Sequence, residues 1–204
     1  MMQEFVQQAK NLMSDMIGQI HTAIPGTISS FDPASCQATV QPIGKFKKPD
    51  GSTMDFPAVS GVPVVLIQSS DQQATIAYPV KSGDGCLLIF SEQALDSWMS
   101  GGDQKSELRF DLTNCMAIPG LFVSGNPVVQ EACSQDAIII DKNGKRITVS
   151  NQNIAIRGDV SIEGNLTLAG KIEASGDVTA GSTSLQNHVH SGVDSGPSNT
   201  GKPV

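Results

Sequence analysis

A six-residue repeat constrains this chain of 204 residues more than any other feature. From Ile154 to Ser182 the sequence forms five consecutive units of apolar-x-apolar-x-Gly-x type, with Ser in the last Gly position. The apolar and small residues of the repeat all have even numbers: Ile154, Ile156, Val160, Ile162, Leu166, Leu168, Ile172, Ala174, Val178 and Ala180. Residues two apart share one face of a strand, so one face is apolar and the other polar. The recurring Gly indicates a bend, and the pattern predicts a β-helix.

The number of repeats predicts three chains rather than one. A single-chain β-helix uses about three six-residue faces per coil, so residues 154–183 would make fewer than two coils. Repeat folds need about three units before their apolar faces are buried. Three chains wound about one axis each supply one face at every level, and their strand ends pair without a long exposed edge. We therefore predict an intertwined, homotrimeric β-helix.

The repeat belongs to a predicted shaft that covers residues 129–184. An Asn143-Gly144 hairpin signal lies near its start, between two short strands. The apolar positions change from even to odd across this hairpin and return to even at Ile154. Loops in this part of the chain must absorb the change of phase.

The N-terminal segment, residues 1–24, is predicted to be an amphipathic helix. Its apolar side chains recur at the spacing of one helix face: Phe5, Val6, Ala9, Leu12, Met13, Met16, Ile17 and Ile20. Pro25 and Gly26 are expected to end it. The stripe must be buried either on the following domain or on a sister subunit. Its polar face is mostly Gln, Ser and Asn and lacks the lysines that membrane-surface helices favour.

Residues 25–128 read as short strands separated by turn signals. The clearest turn is Pro49-Asp50-Gly51-Ser52, and one short helix is expected near residues 93–99. Five or six strands in this length favour a small barrel of the OB type. The same pattern also fits another small β-sandwich. The fold class predicted for the whole chain is mainly β.

Composition excludes several classes of function. Acidic residues outnumber basic ones by 20 to 13, and no basic cluster could follow a phosphate backbone, so nucleic acid is not an expected partner. No apolar run approaches the ~20 residues that span a bilayer. The N-terminus lacks a secretory signal pattern, so folding in the cytosol of the producing cell is expected. The cysteines form no C-x-x-C pair and are expected to be inert: Cys36, Cys86, Cys115 and Cys133.

Two histidines follow the repeat, in a C-terminal apex predicted to cover residues 185–204. If the even register continues past Ser182, His188 and His190 point at the trimer axis, and three chains bring six imidazoles together. Six unpaired polar rings in a narrow core would be costly, and a six-coordinate divalent metal satisfies them all. Zinc prefers four ligands, whereas octahedral imidazole coordination suits Fe(II), Ni(II) or Co(II). His21 is predicted to be a solvated residue of the N-terminal helix.

Two stretches resemble the central membrane-piercing spike proteins of contractile-tailed bacteriophages. Asn187-His188-Val189-His190, followed by a Gly- and Pro-rich tail, resembles the apex of those spikes, and residues 80–98 resemble their OB-domain signature. The resemblance implies a homotrimer with an OB-fold collar on the tail hub, a β-helical shaft and a pointed apex. It implies one iron per trimer, held by His188 and His190 of each chain. It also implies a virion protein at the tail tip that pierces the host outer membrane during contraction.

Two other functions fit parts of the pattern. A hexapeptide-repeat acyltransferase also uses six-residue units and a histidine, but it needs several full coils in one chain. A trimeric receptor-binding fibre or adhesin usually ends in a broad tip with aromatic residues. Here the C-terminus is small, polar and Gly-rich, and Trp98 is the one tryptophan. No catalytic residue is predicted, and the sequence favours a mechanical role without enzymatic activity.

Overall fold

The computed structural model describes residues 2–18, 20–48, 50–69, 71–103, 107–189, 192 and 196. The chain is mainly β, as predicted. It divides into two compact units, one of Met1–Ile139 with Val149–Asn153 and the other of Ile140–Thr148 with Ile154–Val204. In the part of the chain that is described, no helix is long and apolar enough to cross a membrane.

The first element is helix α1, Met2–Gly18, which confirms the N-terminal helix but ends earlier than predicted. A strand begins at Ala23, which pairs with Ile89. Pro25 and Gly26, expected to end a helix, therefore lie inside a strand. Gly26 suits this position because an added Cβ would lie 2.7 Å from the side chain of Val40.

Short strands and two further helices follow α1. The strands are β1 (Ala23–Asp32), β2 (Gln37–Pro42), β3 (Lys45–Lys47), β4 (Thr53–Asp55), β5 (Val59–Pro63), β6 (Ile67–Ser69), β7 (Ala74–Ile76), β8 (Gly85–Phe90) and β9 (Cys115–Pro119). Helix α2 (Leu95–Ser100) lies where a short helix was predicted. Helix α3 (Pro127–Gln135) was not predicted; Asn126 caps it by accepting the Val128 N–H at 2.9 Å. Residues 129–135, assigned to the shaft, are thus helical.

Five of these strands form one curled antiparallel sheet in the order β5-β2-β1-β8-β9. Its two end strands approach each other through a parallel bridge between Val64 and Ala117. The Val65 N–H donates to the Ala117 carbonyl oxygen at 2.9 Å beside this bridge. Strands β2 and β8 alternate buried and half-buried residues, as strands with one face in a core do. The arrangement fits the five-stranded, partly open OB-type barrel that the sequence predicts.

Small and β-branched side chains fill this curled sheet. The buried members of the core are Ile28, Ala38, Val40, Val59, Val62, Val64, Cys86, Leu88, Phe90, Cys115 and Ala117. Burial raises the pKa of the Cys86 and Cys115 thiols to about 11. Because the thiolate is the reactive form, these two cysteines act as small apolar residues of the core.

Asn114 brings a polar side chain into this apolar region, where it is 4% exposed. Its amide nitrogen donates to the carbonyl oxygens of Ser91 at 3.1 Å and Gln93 at 2.9 Å, and its oxygen accepts the Leu95 N–H at 2.9 Å. We predict that Asn114→Ala lowers the free energy of unfolding by about 2–4 kcal/mol, because these backbone groups lose their partners. Urea unfolding followed by circular dichroism measures the change. A loss below about 0.5 kcal/mol, typical of surface substitutions, would contradict this prediction.

A three-stranded sheet follows α3, in the order β10 (Ile138–Lys142), β11 (Lys145–Val149) and β12 (Ile154–Arg157). The β10–β11 hairpin turns at Asn143 and Gly144, whose φ angles are 53° and 83°. These positive angles at an Asn-Gly pair are those of the predicted two-residue turn. Strand β12 contains the first unit of the six-residue repeat.

The second, third and fourth repeat units have no strand partner within the described chain. None of residues 159–178 belongs to a strand, and the large apolar side chains at their even positions are 44–71% exposed. Gly158 and Gly164 have φ angles of 127° and 137°, so bends are present at two of the repeating glycines. A triple β-helix requires pairing between chains and stays a prediction. A short hairpin of β13 (Thr179–Ala180) and β14 (Thr183–Ser184) ends the described strands.

Candidate metal-binding apex

His188 lies at the end of a compact turn that follows the β13–β14 hairpin. Its backbone N–H donates to the Ser184 carbonyl oxygen at 3.1 Å, and the Asn187 N–H donates to the Ser184 hydroxyl oxygen at 2.8 Å. The Leu185 N–H donates to the Val178 carbonyl oxygen at 2.8 Å, across the hairpin. These bonds fix the backbone of His188 relative to the hairpin.

The carboxylate of Asp177 stabilises the same turn. It accepts the Gln186 N–H at 3.1 Å. Hydrogen bonds from the Ser184 hydroxyl and from the backbone N–H groups of Gln186, Val178 and Leu185 hold the pKa of Asp177 below its ordinary value. Asp177 is therefore ionised throughout the pH range in which a histidine can bind a metal.

The His188 ring is oriented by backbone carbonyl oxygens. Its Nδ1 lies 2.9 Å from the Ser184 carbonyl oxygen and 3.2 Å from that of Leu185. A carbonyl oxygen can only accept, so Nδ1 carries the proton and the neutral ring has its lone pair on Nε2. Metal-binding histidines commonly donate one ring N–H to a carbonyl oxygen and coordinate through the other nitrogen. The tautomer of His188 therefore fits an Nε2 ligand.

The even register of the repeat does not continue unbroken to the histidines. Gly181 turns the chain between β13 and β14 with a φ of 62°, and a second turn covers residues 185–187. The prediction of one straight strand from Ser182 to His188 is therefore wrong in the single chain, and the predicted place of His188 at a trimer axis stays a prediction. The Ser184 and Asp177 side chains bind backbone N–H groups and stabilise turns where an extended strand was expected. His190 lies outside the described residues, so its predicted role stays a prediction.

A single described chain does not assemble a complete metal site. No group of three or more His, Cys, Asp or Glu side chains in the described ranges is placed to hold a metal ion. The apex contributes one described imidazole, that of His188. A site built there would need ligands from other copies of the chain or from residues outside the described ranges.

Comparison with protein families matches both the barrel and this apex. Residues 24–120, which contain the curled sheet, match the family described as phage protein Gp138 N-terminal domain. Residues 184–204 match the GpV apex motif, starting at the serine that organises the turn. Both families are features of phage baseplate spikes, and together they support a contractile-phage tail-tip spike protein. No curated protein in the comparison matches it.

As a tail-tip spike protein, the chain is a baseplate component of the virion. The two family matches leave two parts of the spike protein uncovered. Helix α1 precedes the first match, and the six-residue repeat lies between the two.

His21 of the spike protein is placed differently from the prediction. It follows α1 rather than belonging to it, and its ring is partly buried against Phe56 and Phe90, at centroid distances of 5.6 Å and 5.3 Å. Its backbone N–H donates to the Phe110 carbonyl oxygen at 3.0 Å. The prediction of a solvated helix residue is wrong on both points, because the helix ends at Gly18. His21 packs the barrel domain and is distant in sequence from the apex.

We predict that Asp177→Ala loosens the turn of the spike apex. The Gln186 amide should exchange its hydrogen with solvent faster, because the carboxylate that accepts it is removed. Hydrogen exchange followed by mass spectrometry measures the effect. Glu173→Ala is the matched control, since it removes the same charge from an exposed residue whose salt-bridge partner is Lys171. Equal exchange of the Gln186 amide in both variants would show that Asp177 does not hold the turn.

Proposed function

We propose that this chain is one subunit of a homotrimeric spike that pierces the host outer membrane when the tail sheath contracts. The main support is the apolar face of residues 154–178, whose eight large side chains are 44–71% exposed in the single chain. Burying side chains of this size contributes about 1.5–3 kcal/mol each, so association of this face is worth on the order of 10 kcal/mol per chain.

A trimer explains the pattern of this face better than a dimer or a pair of stacked sheets. Each repeat unit supplies one short apolar face and then a glycine, which suits three chains meeting around a narrow axis. Most of the intervening odd positions are polar or charged, for example Asp159, Glu163 and Lys171, and would stay in water. Strand ends of each chain would pair with the two neighbours, which removes exposed edges.

The proposed mechanism is mechanical and involves no catalytic residue. Sheath contraction supplies the force, and the shaft has to resist bending and fraying. An intertwined core of three chains resists peeling, because no chain can leave without breaking its pairing with both others. We propose that the barrel domain docks on the tail hub and transmits the force to the shaft.

The tip would carry the highest load, and chain ends are where fraying begins. We propose that His188 and His190 of the three chains hold one iron ion at the tip. When bound, the ion supplies coordination bonds that join the three chain ends. The Nδ1 of His188 lies 2.9 Å from the Ser184 carbonyl oxygen. This contact supports the role because it leaves the lone pair on Nε2, the nitrogen that would coordinate the metal.

Solution mass together with elemental analysis tests this proposal. We expect the mass of three chains and close to one iron per three chains, and a metal-free monomer would overturn it. Piercing is measured separately, by release of a periplasmic enzyme when wild-type particles contract on host cells. Particles whose spike is truncated after Gly158 should contract without that release. Equal release from both particles would remove the piercing role.

A further inference from the structure

Helix α1 has an apolar stripe that the barrel of its own chain leaves exposed. The stripe residues of the helix are 46–81% exposed: Met2, Phe5, Val6, Leu12, Met13, Met16 and Ile17. The C-terminal half of α1 borders a groove of about 1530 Å³ that is also lined by Phe46 and Phe56. Side chains from outside the chain could therefore reach the stripe. Most of the stability of a helix in a protein comes from packing of its apolar face, so the stripe of this 17-residue helix needs a partner.

The stripe has the spacing of a coiled coil. Met2, Ala9 and Met16 recur every seven residues, and Phe5 and Leu12 lie between them at the complementary spacing. These are the a and d positions of a heptad, and Val6 and Met13 occupy position e. A strict a/d seam suits two helices, whereas the broader a/d/e stripe is typical of helices in larger bundles.

The opposite side of α1 is polar and nearly neutral. Gln7 and Asn11 form a hydrogen bond of 2.9 Å along it. Residues 2–18 include Glu4, Lys10 and Asp15 as their charged residues, and none occupies an a, d or e position. Sister helices would therefore meet without like charges at the seam. The single lysine argues against an anionic membrane surface as the partner.

We propose that the α1 helices of three sister chains pack as a short parallel coiled coil, an inference that rests on the homotrimer proposed above. The six exposed stripe residues at positions a, d and e would bury on the order of 700 Å² per chain, close to what one partner contributes to a standard-size interface. Four residues, 19–22, separate α1 from β1. Once three chains have assembled through parts other than α1, such a short connection holds their helices close together, at a high effective concentration.

Disulfide trapping in the full-length chain tests this proposal. The exposed Cys36 and Cys133 are first replaced with Ser, and the buried Cys86 and Cys115 are kept. Leu12→Cys, at position d, should form a disulfide between two chains under mild oxidation. It should do so at least about tenfold faster than Gln7→Cys on the polar side, because only the seam holds the thiols close together. Non-reducing gels measure the rate.

The solution mass of each variant decides how the trapping result is interpreted. A trimer in which Leu12→Cys crosslinks no faster than Gln7→Cys would overturn the coiled coil without affecting the trimeric spike. A monomeric parent with the two Ser replacements would instead overturn the proposed trimer, and the coiled coil with it. Met16→Cys, at position a, should form the disulfide between chains as fast as Leu12→Cys. Agreement of the two variants would show that the result does not depend on one substituted residue.

Discussion

Replacing Leu168 with Asp should convert the proposed trimer of the spike into monomers. Leu168 is on the even face of the repeat and is 52% exposed in the single chain, so the substitution leaves the fold of that chain intact. In the proposed trimer it would place three carboxylates at one level of a narrow apolar core. An unpaired buried charge costs several kcal/mol, which is comparable with the whole stability of many domains. Sedimentation of the purified variant measures the change from three-chain to one-chain mass.

Thr167→Asp is the matched control, because it introduces the same charge one residue away on the odd face. Charged residues already occupy this face, as at Glu163 and Glu173, so the variant should remain a trimer. Dissociation of both variants would show that the added charge itself, and not the face, is responsible. If neither variant dissociates, the even face is not the core of the trimer. An unchanged unfolding midpoint of the barrel domain would show that Leu168→Asp acts on association alone.

Features set by neighbours along the chain were predicted well from the sequence. The Asn143-Gly144 turn depends on the positive φ angles of those two residues. The stripe of α1 depends on helical spacing, and the strands of the curled sheet were predicted from the turn signals that separate them. In each case the physical cause extends over only a few residues, so a local pattern is sufficient to find it.

Boundaries set by distant partners were predicted poorly. Helix α1 ends at Gly18, because the next residues join a sheet in which Ala23 pairs with Ile89. Strand β9 was not predicted, since it is five residues long and is defined by its pairing with β8. Helix α3 could have been found, because Asn126-Pro127 is a typical helix start. The interpretation of that region as part of a β shaft concealed the signal.

The apex shows why a periodic pattern cannot be extended beyond the last repeat. The even numbering of the repeat predicted a straight strand up to His188, but Ser184 and Asp177 accept backbone N–H groups and stabilise a turn. Spacing also carries no information about the orientation of the His188 ring. That orientation comes from the Ser184 carbonyl oxygen, which only the folded turn brings to Nδ1. The sequence selected His188 because an unbroken strand was expected. In the structure, what supports His188 as a candidate ligand is instead the contact of its Nδ1 with the Ser184 carbonyl oxygen.

Replacing His188 and His190 together with Ala should abolish the proposed binding of one iron per three chains, while the proposed trimer remains. The substitutions remove the imidazole donors but leave the apolar face of the repeat unchanged. Elemental analysis and solution mass measure the two outcomes. Limited proteolysis should then cleave the C-terminal residues faster, because the three chain ends are no longer joined. His21→Ala is the matched control, since it removes an imidazole from the barrel domain and should retain the iron.

The pH dependence of iron binding separates the ligands from the turn that carries them. A metal binds deprotonated imidazole, so acid should release the iron. The pKa of Asp177 is lowered, so its contribution to the turn is complete above the ordinary value of 3.8 and is lost only as the pH falls through the lower folded value. At a pH low enough to release the iron but still above the folded pKa of Asp177, the spike should be a metal-free trimer whose Gln186 amide is still protected. Iron retained by the double His variant, or released only together with that protection, would contradict coordination by the histidines.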